Sequence, residues 1–418
     1  MRSVFVNLGP LVSFRHGLVK DDESSLVLNG KGIVVDGQEI VKITDSESLV
    51  DEYSIHDKHH PTATDVACYN LEGKAVVPGL VDTHTHLLWA GDRSKEITWR
   101  REGKTYAEIA ALGGGIQYTV EQTRRATDEH LHALGYQRLR EALYTGTTHL
   151  EAKSGYGLDA PSELRLLEIA EKLNRDRLTP TIDHTWMGAH DVPQGKTIES
   201  YVDELLADHL PAVVEQGIAR SADVFCEPGW FSVEQSERIL RASRTAGLDL
   251  RMHVDEFVDG GGGELAAELR VQTADHAYHT PLDVRLKMKK AGVNTGFLPG
   301  TPYAMGDLWP DMGEVVEHGI HFSLASDFNP NCRTLSLPFV CSLMVQRCGM
   351  HPLHALAAVT VHAAKTSPHP SGMEHGVISE GGVANFNIVD GPHWESTVLR
   401  PSASPFSATV LNGQFVAH

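Results

Sequence analysis

Eight apolar, strand-like runs recur through the middle of the chain, at residues 79–84, 147–152, 181–188, 222–227, 249–255, 272–277, 294–298 and 321–327. Each is followed by helical or loop sequence, so successive strands are separated by crossovers and pair in parallel. Eight such units match a closed (β/α)8 barrel. The sequence before the second run shows the punctuation: Thr127 is placed to cap a helix, Leu131, Leu134, Leu139 and Leu143 give it an apolar stripe, and Gly146 ends it just ahead of the strand. At 418 residues and 41% hydrophobic content, the chain can bury a barrel of about 250 residues and still build a second, smaller unit. It carries no tandem repeat and no low-complexity tract.

The two chain ends supply that unit. Short β-patterned pieces occur at Ser25 to Leu28, Gly32 to Gly37 and Ile40 to Ile43, and the texture returns at Val383 to Val389 and Ala408 to Leu411, before the hairpin dipeptide Asn412-Gly413. The expected fold is therefore α/β: a distorted (β/α)8 TIM barrel over residues 76–375, beside a small β-sandwich built from residues 1–75 and 376–418.

Charge and cysteine content narrow the partners. The 36 basic and 55 acidic residues give a net charge of −19, which opposes nucleic acid and anionic membrane surfaces. Five cysteines, at positions 68, 226, 332, 341 and 348, lack CxxC spacing, so neither a disulfide framework nor a zinc ribbon is indicated and a reducing cytoplasm is expected. The opening Met-Arg-Ser-Val-Phe-Val is interrupted too soon by Asn7, Gly9, Pro10 and Arg15 to resemble the apolar core of a signal segment, and no later run approaches a membrane span.

Chemistry concentrates at the strand ends. In Val81-Asp82-Thr83-His84-Thr85-His86, histidines at i and i+2 point the same way only on extended backbone. An isolated HxH is more often a polar strand end than a metal site. Here, however, His253 ends the fifth run and Asp327 the eighth, and both converge on the carboxyl-terminal mouth where barrel enzymes keep their chemistry. Three imidazoles and a carboxylate, His84, His86, His253 and Asp327, suit one divalent metal, zinc or iron, and the fourth run ends Asp223-Val-Phe-Cys-Glu227 without a lysine to bridge two ions. His276, from the sixth run, is a candidate base beside the metal. Glu256, three residues after His253, is placed to leave the strand and move a proton at the substrate. As catalytic residues, Glu256, His276 and Asp327 are the expectation.

Several segments carry a more specific likeness. His84-Thr-His-Leu-Leu-Trp-Ala-Gly-Asp-Arg93, Gly113-Gly-Gly-Ile116, Lys153-Ser-Gly-Tyr-Gly157, Met187-Gly-Ala-His190, His253-Val-Asp-Glu256 and Ser326-Asp-Phe-Asn-Pro330 resemble the imidazolonepropionase family of the amidohydrolase superfamily. HxH alone identifies only the superfamily; the Ala-Gly-Asp-Arg and Lys-Ser-Gly-Tyr-Gly segments identify the family. The resemblance implies hydrolysis of 4-imidazolone-5-propanoate to N-formimino-L-glutamate in histidine degradation. It also implies that Arg93, Tyr156 and His190 bind the substrate, including its propionate, while Glu256 and Asn329 approach the ring. A guanidinium fork is the natural partner of a carboxylate, which fits Arg93. The expected partner is thus a small molecule, imidazolone propionate, with no nucleic acid or membrane partner, and the expected assembly is a homodimer. The segments at Tyr303 to Pro310 and Val361 to Ser367 depart from the pattern of the bacterial members.

The same ligands would serve a superfamily deaminase acting on a nucleobase-like heterocycle, which Arg93 argues against because a neutral base offers it no carboxylate. A barrel kept only for binding is disfavoured by the complete ligand set. Lys153 reads as a strand-end lysine paired with Glu151 or Glu227 outside the metal site, and Cys226 as buried. His56, His59 and His60 read as a solvated cluster, Gly103-Lys104-Thr105 lacks the first glycine of a phosphate loop, and Gly260 to Gly263 read as a mobile or tightly turning loop at the mouth.

Overall fold

A computed structural model of the protein describes residues 2–18, 23–55, 66–306 and 308–418. His56, His59 and His60 lie outside the described residues. Eight parallel strands form one sheet in strict sequence order: Leu80–Asp82, Thr147–Lys153, Thr181–Ala189, Ser221–Cys226, Asp249–Val254, Thr273–His276, Asn294–Phe297 and Phe322–Leu324. Just beyond the first and eighth strands the ladder continues, with the His86 N–H donating to Phe328 O at 2.8 Å and the Asp327 N–H to His84 O at 3.1 Å. These bonds close the barrel where the HxH motif meets Asp327. The expected eight strands are all present, with shorter bounds at both closing strands than the apolar runs suggested.

Helices between the strands form the outer layer. Asp128–Tyr144 is capped by the Thr127 side chain, which accepts the His130 N–H, and its Leu131, Leu139 and Leu143 are buried against the barrel. Packing of this kind, with Trp186 and Tyr201 fully buried beside Leu166, Leu173 and Leu205, is the main source of stability through removal of apolar surface from water.

The chain ends interleave in two small sheets. One has four strands, Glu39–Asp45, Lys31–Asp36, Arg2–Val6 and Val66–Asn70; the other has six and contains Leu11–Val12, Val27–Leu28, Val76–Pro78, Phe386–Val389, Phe406–Leu411 and Gln414–Ala417. They pack face to face through Phe5, Ile33, Val35 and Ile40 on one side and Leu11, Val76, Phe386 and Val410 on the other, with the Phe5 and Phe386 rings edge to face at 5.1 Å. This is the expected sandwich. Asn412-Gly413 makes the two-residue turn between paired Leu411 and Gln414, both turn residues having positive φ. Ser25 and Leu26, expected as strand, instead belong to the short helix Glu23–Leu26, and only Val27–Leu28 pair. Because Val76–Pro78 pairs with Phe386–Val389 in the small sheet, we propose a first domain boundary at Pro78/Gly79 rather than at residue 76.

Candidate active site and metal centre

His84, His86, His253, His276 and Asp327 are brought together at the barrel mouth, each at most 4% exposed. The His84 and His253 rings are 4.4 Å apart, and those of His253 and His276 5.2 Å. Asp327 Oδ1 lies 3.6 Å from His84 Nε2 and 3.8 Å from His86 Nε2. Donor atoms fall into two overlapping groups that share His84, one with His86 and Asp327, the other with His253 and His276, within 4.8 Å in each.

The orientation of the rings is fixed from behind. Asp275 Oδ2 takes the Nδ1 proton of His84 at 2.7 Å, and Asp223 Oδ1 that of His253 at 3.0 Å, leaving both Nε2 lone pairs aimed at the cluster. Those two atoms, with His86 Nδ1 and His276 Nδ1, are buried without a hydrogen-bond partner. Orphaned buried nitrogens are costly, and a cation is the group that satisfies several of them at once. Burial holds His84, His86 and His276 well below the usual histidine range, so the rings are neutral and free to ligate. The chain's donors therefore fit a divalent metal.

An ion-pair layer lies directly beneath. Lys153 Nζ bonds Asp223 Oδ2 at 2.7 Å and Glu151 Oε1 at 2.9 Å. Burial alone would raise the Asp223 carboxyl, but His253 and Lys153 keep it well below the carboxylate range. Of the two partners expected for Lys153, Glu151 is found; Glu227 points instead into the neighbouring loop, and Asp223 takes its place. Asp275 also accepts the Thr273 hydroxyl at 2.5 Å. Space for it comes from Gly296, where a Cβ would sit 2.0 Å from Asp275 Oδ1. Backbone strain gathers here too, since His276 and Asp327 have φ of 67° and 50°, a conformation that non-glycine residues adopt at a cost.

Asp275 gives a direct test. Asp275→Asn keeps the shape but removes the charge that supports the His84 ring, and metal affinity is expected to fall about 10- to 100-fold, the range for loss of an outer carboxylate partner. Competition with a chromophoric zinc chelator reads this, and unchanged affinity would show that Asp275 is dispensable for metal binding.

The remaining candidates line one cavity with the cluster. Its wall includes Arg93, Tyr156, His190, Glu256 and Asn329 together with Phe225, Trp230, Phe257, Thr301 and Cys332. Arg93 is 4% exposed and gripped by Glu96 through two bonds, Nε to Oε1 at 2.7 Å and Nη2 to Oε2 at 2.9 Å. Glu96 is fixed in turn by the Gly115 N–H at 2.8 Å, so the guanidinium is preorganised. His190 donates Nδ1–H to Gly155 O at 2.9 Å and stacks on His86 at 4.8 Å; burial lowers its pKa to about 3. Glu256 Oε2 is 3.7 Å from His276 Nε2. The Asn329 side chain is largely committed to its own loop, donating to Asp327 O at 2.8 Å and accepting the N–H groups of Asn331 and Cys332.

Sequence reasoning assigned no role to Asp223, Asp275, Glu96 or Thr301, which donates to Asp327 Oδ2 at 2.6 Å. The available signal was a carboxylate within an otherwise apolar strand run at Asp223 and Asp275, since such groups are buried only when paired.

Fold and site together define a (β/α)8 barrel whose mouth carries an imidazole–carboxylate cluster suited to a divalent metal. Solved structures share the architecture across the whole chain at low identity: an atrazine chlorohydrolase from Arthrobacter aurescens complexed with zinc and atraton (TM-score 0.69, 15% identical, covering 100% of this chain and 95% of that one) and a 5-methylcytosine deaminase from Klebsiella pneumoniae (TM-score 0.71, 16% identical, covering 100% and 97%). No protein-family model matches. Sequence relatives are far nearer: an imidazolonepropionase of Symbiobacterium thermophilum is 42% identical over 80% of this chain and 79% of its own, and one of Haloarcula marismortui is 37% identical over 93% and 90%. A probable imidazolonepropionase of Homo sapiens is 35% identical over 92% of this chain and 89% of its own. The chain belongs to the imidazolonepropionase family.

Proposed function

We propose that this cavity hydrolyses the cyclic amide C–N bond of 4-imidazolone-5-propanoate, yielding N-formimino-L-glutamate in histidine degradation. The observation that carries the reading is one cavity with a neutral imidazole–carboxylate cluster and a preorganised, buried arginine, which suits a small heterocycle bearing a carboxylate. His84, His86, His253 and Asp327 would hold one divalent metal, zinc or iron. When bound, such an ion lowers the pKa of water and polarises a carbonyl.

The chain's own residues account for the rest. Arg93 takes the propionate, and Tyr156, packed against His190 in the same cavity wall, also contacts the substrate. His190 is neutral with its Nδ1 proton already donated, so its Nε2 offers a lone pair; that suits an N–H of the heterocycle better than a carboxylate. Asn329 approaches the ring with the amide hydrogen its loop leaves over. Asp327 and His276 accept the proton of the attacking water as the new C–O bond forms at the ring carbonyl. Glu256, 3.7 Å from His276 Nε2, takes that proton over from His276 and delivers it to the departing ring nitrogen. The C–N bond breaks, one water has been added, and a new carboxylate remains.

This reading also places the protein in the cytoplasm as a homodimer with no nucleic acid or membrane partner. All five cysteines are free thiols, and among the described residues no helix is long and apolar enough to cross a membrane. Purified, metal-replete protein should consume imidazolone propionate, seen as loss of its ultraviolet absorbance with a mass gain of one water and no ammonia. Release of ammonia, or no turnover, would return the site to the deaminase reading.

A further inference from the structure

Glu227 follows the fourth barrel strand and is 2% exposed. Its carboxylate accepts three consecutive backbone N–H groups from the loop after the fifth strand: Glu256 at 2.9 Å on one oxygen, Phe257 and Val258 at 3.1 Å each on the other. The next stretch of that loop is tied in the same manner. Asp255 accepts the N–H groups of Gly260 and Gly262 at 3.1 Å each and of Gly263 at 3.2 Å, with the Thr280 hydroxyl at 2.6 Å. The tight turn expected at Gly260 to Gly263 is thus wound around one carboxylate, and the segment bearing Glu256 and Phe257 is bound by another. Both residues line the cavity.

Chemistry explains why an acid stands at position 227. Three converging N–H donors, that of Glu256 buried and those of Phe257 and Val258 part-buried, are matched together by an acceptor with two oxygens and negative charge. An amide of the same shape offers one oxygen and turns its NH₂ on at least one of the donors. Fourth and fifth strands are paired up to Cys226 and Val254, so the bond from Glu227 carries that register beyond the strand ends and into the catalytic loop.

We propose that Glu227 is a positioning residue for the reaction, holding the backbone at Glu256 so that its carboxyl stays beside His276 and the substrate. This rests on the proton-transfer reading of Glu256. A loop freed at this point displaces Glu256 by a fraction of an ångström or more, and a misplacement of that order costs up to about 100-fold in rate.

The test uses the full-length, metal-loaded enzyme. Glu227→Gln should raise amide exchange in the peptide covering residues 256–258 while leaving exchange in the strands, and the metal content, as in the wild type. Turnover should fall by roughly 10- to 100-fold in kcat, with KM changed by less than about threefold. Glu227→Asp, which keeps the charge, should recover part of the loss. In a Glu256→Gln background the same Glu227→Gln change should cost less than about threefold, since the group being positioned is already gone. Equal cost in both backgrounds, or unchanged exchange at 256–258, overturns the proposal. Wild-type turnover in Glu256→Gln alone would instead overturn the proton-transfer reading of Glu256, a failure that the exchange data distinguish from loss of the brace.

Discussion

His253→Ala enzyme is expected to emerge from dialysis with well under one divalent metal per chain and to turn over substrate about 10³-fold more slowly or worse, the scale of losing several kcal/mol of transition-state stabilisation. The structure makes His253 more than one donor of four. Its Nδ1 is held by Asp223, and Asp223 shares Lys153 with Glu151 in a fully buried layer, so removing the ring leaves a charged network without its upper partner. His276→Asn should behave differently. His276 also places a nitrogen near His84 and His253, but its other face meets Glu256, and as a proton-transfer group its loss should cost about 10²- to 10⁴-fold in kcat with metal retained near the wild-type level. Elemental analysis of the two variants decides the assignment. Equal metal loss in both would make His276 a ligand and require another base.

Much of this centre is legible in the sequence because metal ligands sit where strands end, and strand ends are marked by hydrophobic runs. The eight runs place His84, His253, His276 and Asp327 at one mouth before any contact is known. What periodicity does not give is direction beyond the strand. The two closing strands end early, and the ladder carries on through His86, Phe328 and Asp327 in irregular backbone, which no alternation of apolar residues can announce. The roles of Asp223 and Asp275 are hidden for another reason. Asp223 supports a ligand from the next strand, set by the register in which Phe225 sits opposite His253, whereas Asp275 on the sixth strand reaches across the barrel interior to His84 beyond the first, a contact that exists only once the barrel is closed. Lys153 shows the same limit: local sequence offered Glu151 correctly, but the second partner comes 70 residues later. His190 shows that identity and role are separable. Only its bond to Gly155 reveals that a histidine placed for carboxylate binding presents an acceptor.

Arg93→Ala should weaken the propionate substrate by about 2–5 kcal/mol, the range for truncating one partner of a buried hydrogen-bonded charge pair, or roughly 30- to several-thousand-fold in kcat/KM. An imidazolone lacking the carboxylate should change by less than about threefold. The substitution has a second effect that must be separated from the first. Glu96 is 3% exposed and loses both of its bonds to the guanidinium, leaving a buried carboxylate supported by the Gly115 N–H; such uncompensated charge costs about 3–5 kcal/mol of fold stability. Adding Glu96→Gln removes that charge. The double variant should regain most of the melting temperature lost by Arg93→Ala while keeping the full defect toward the propionate substrate, because stability follows the pair and affinity follows the arginine alone. If the double variant recovered affinity together with stability, or if both substrates suffered equally, Arg93 would be a structural partner of Glu96 and the propionate would have to be bound elsewhere in the cavity.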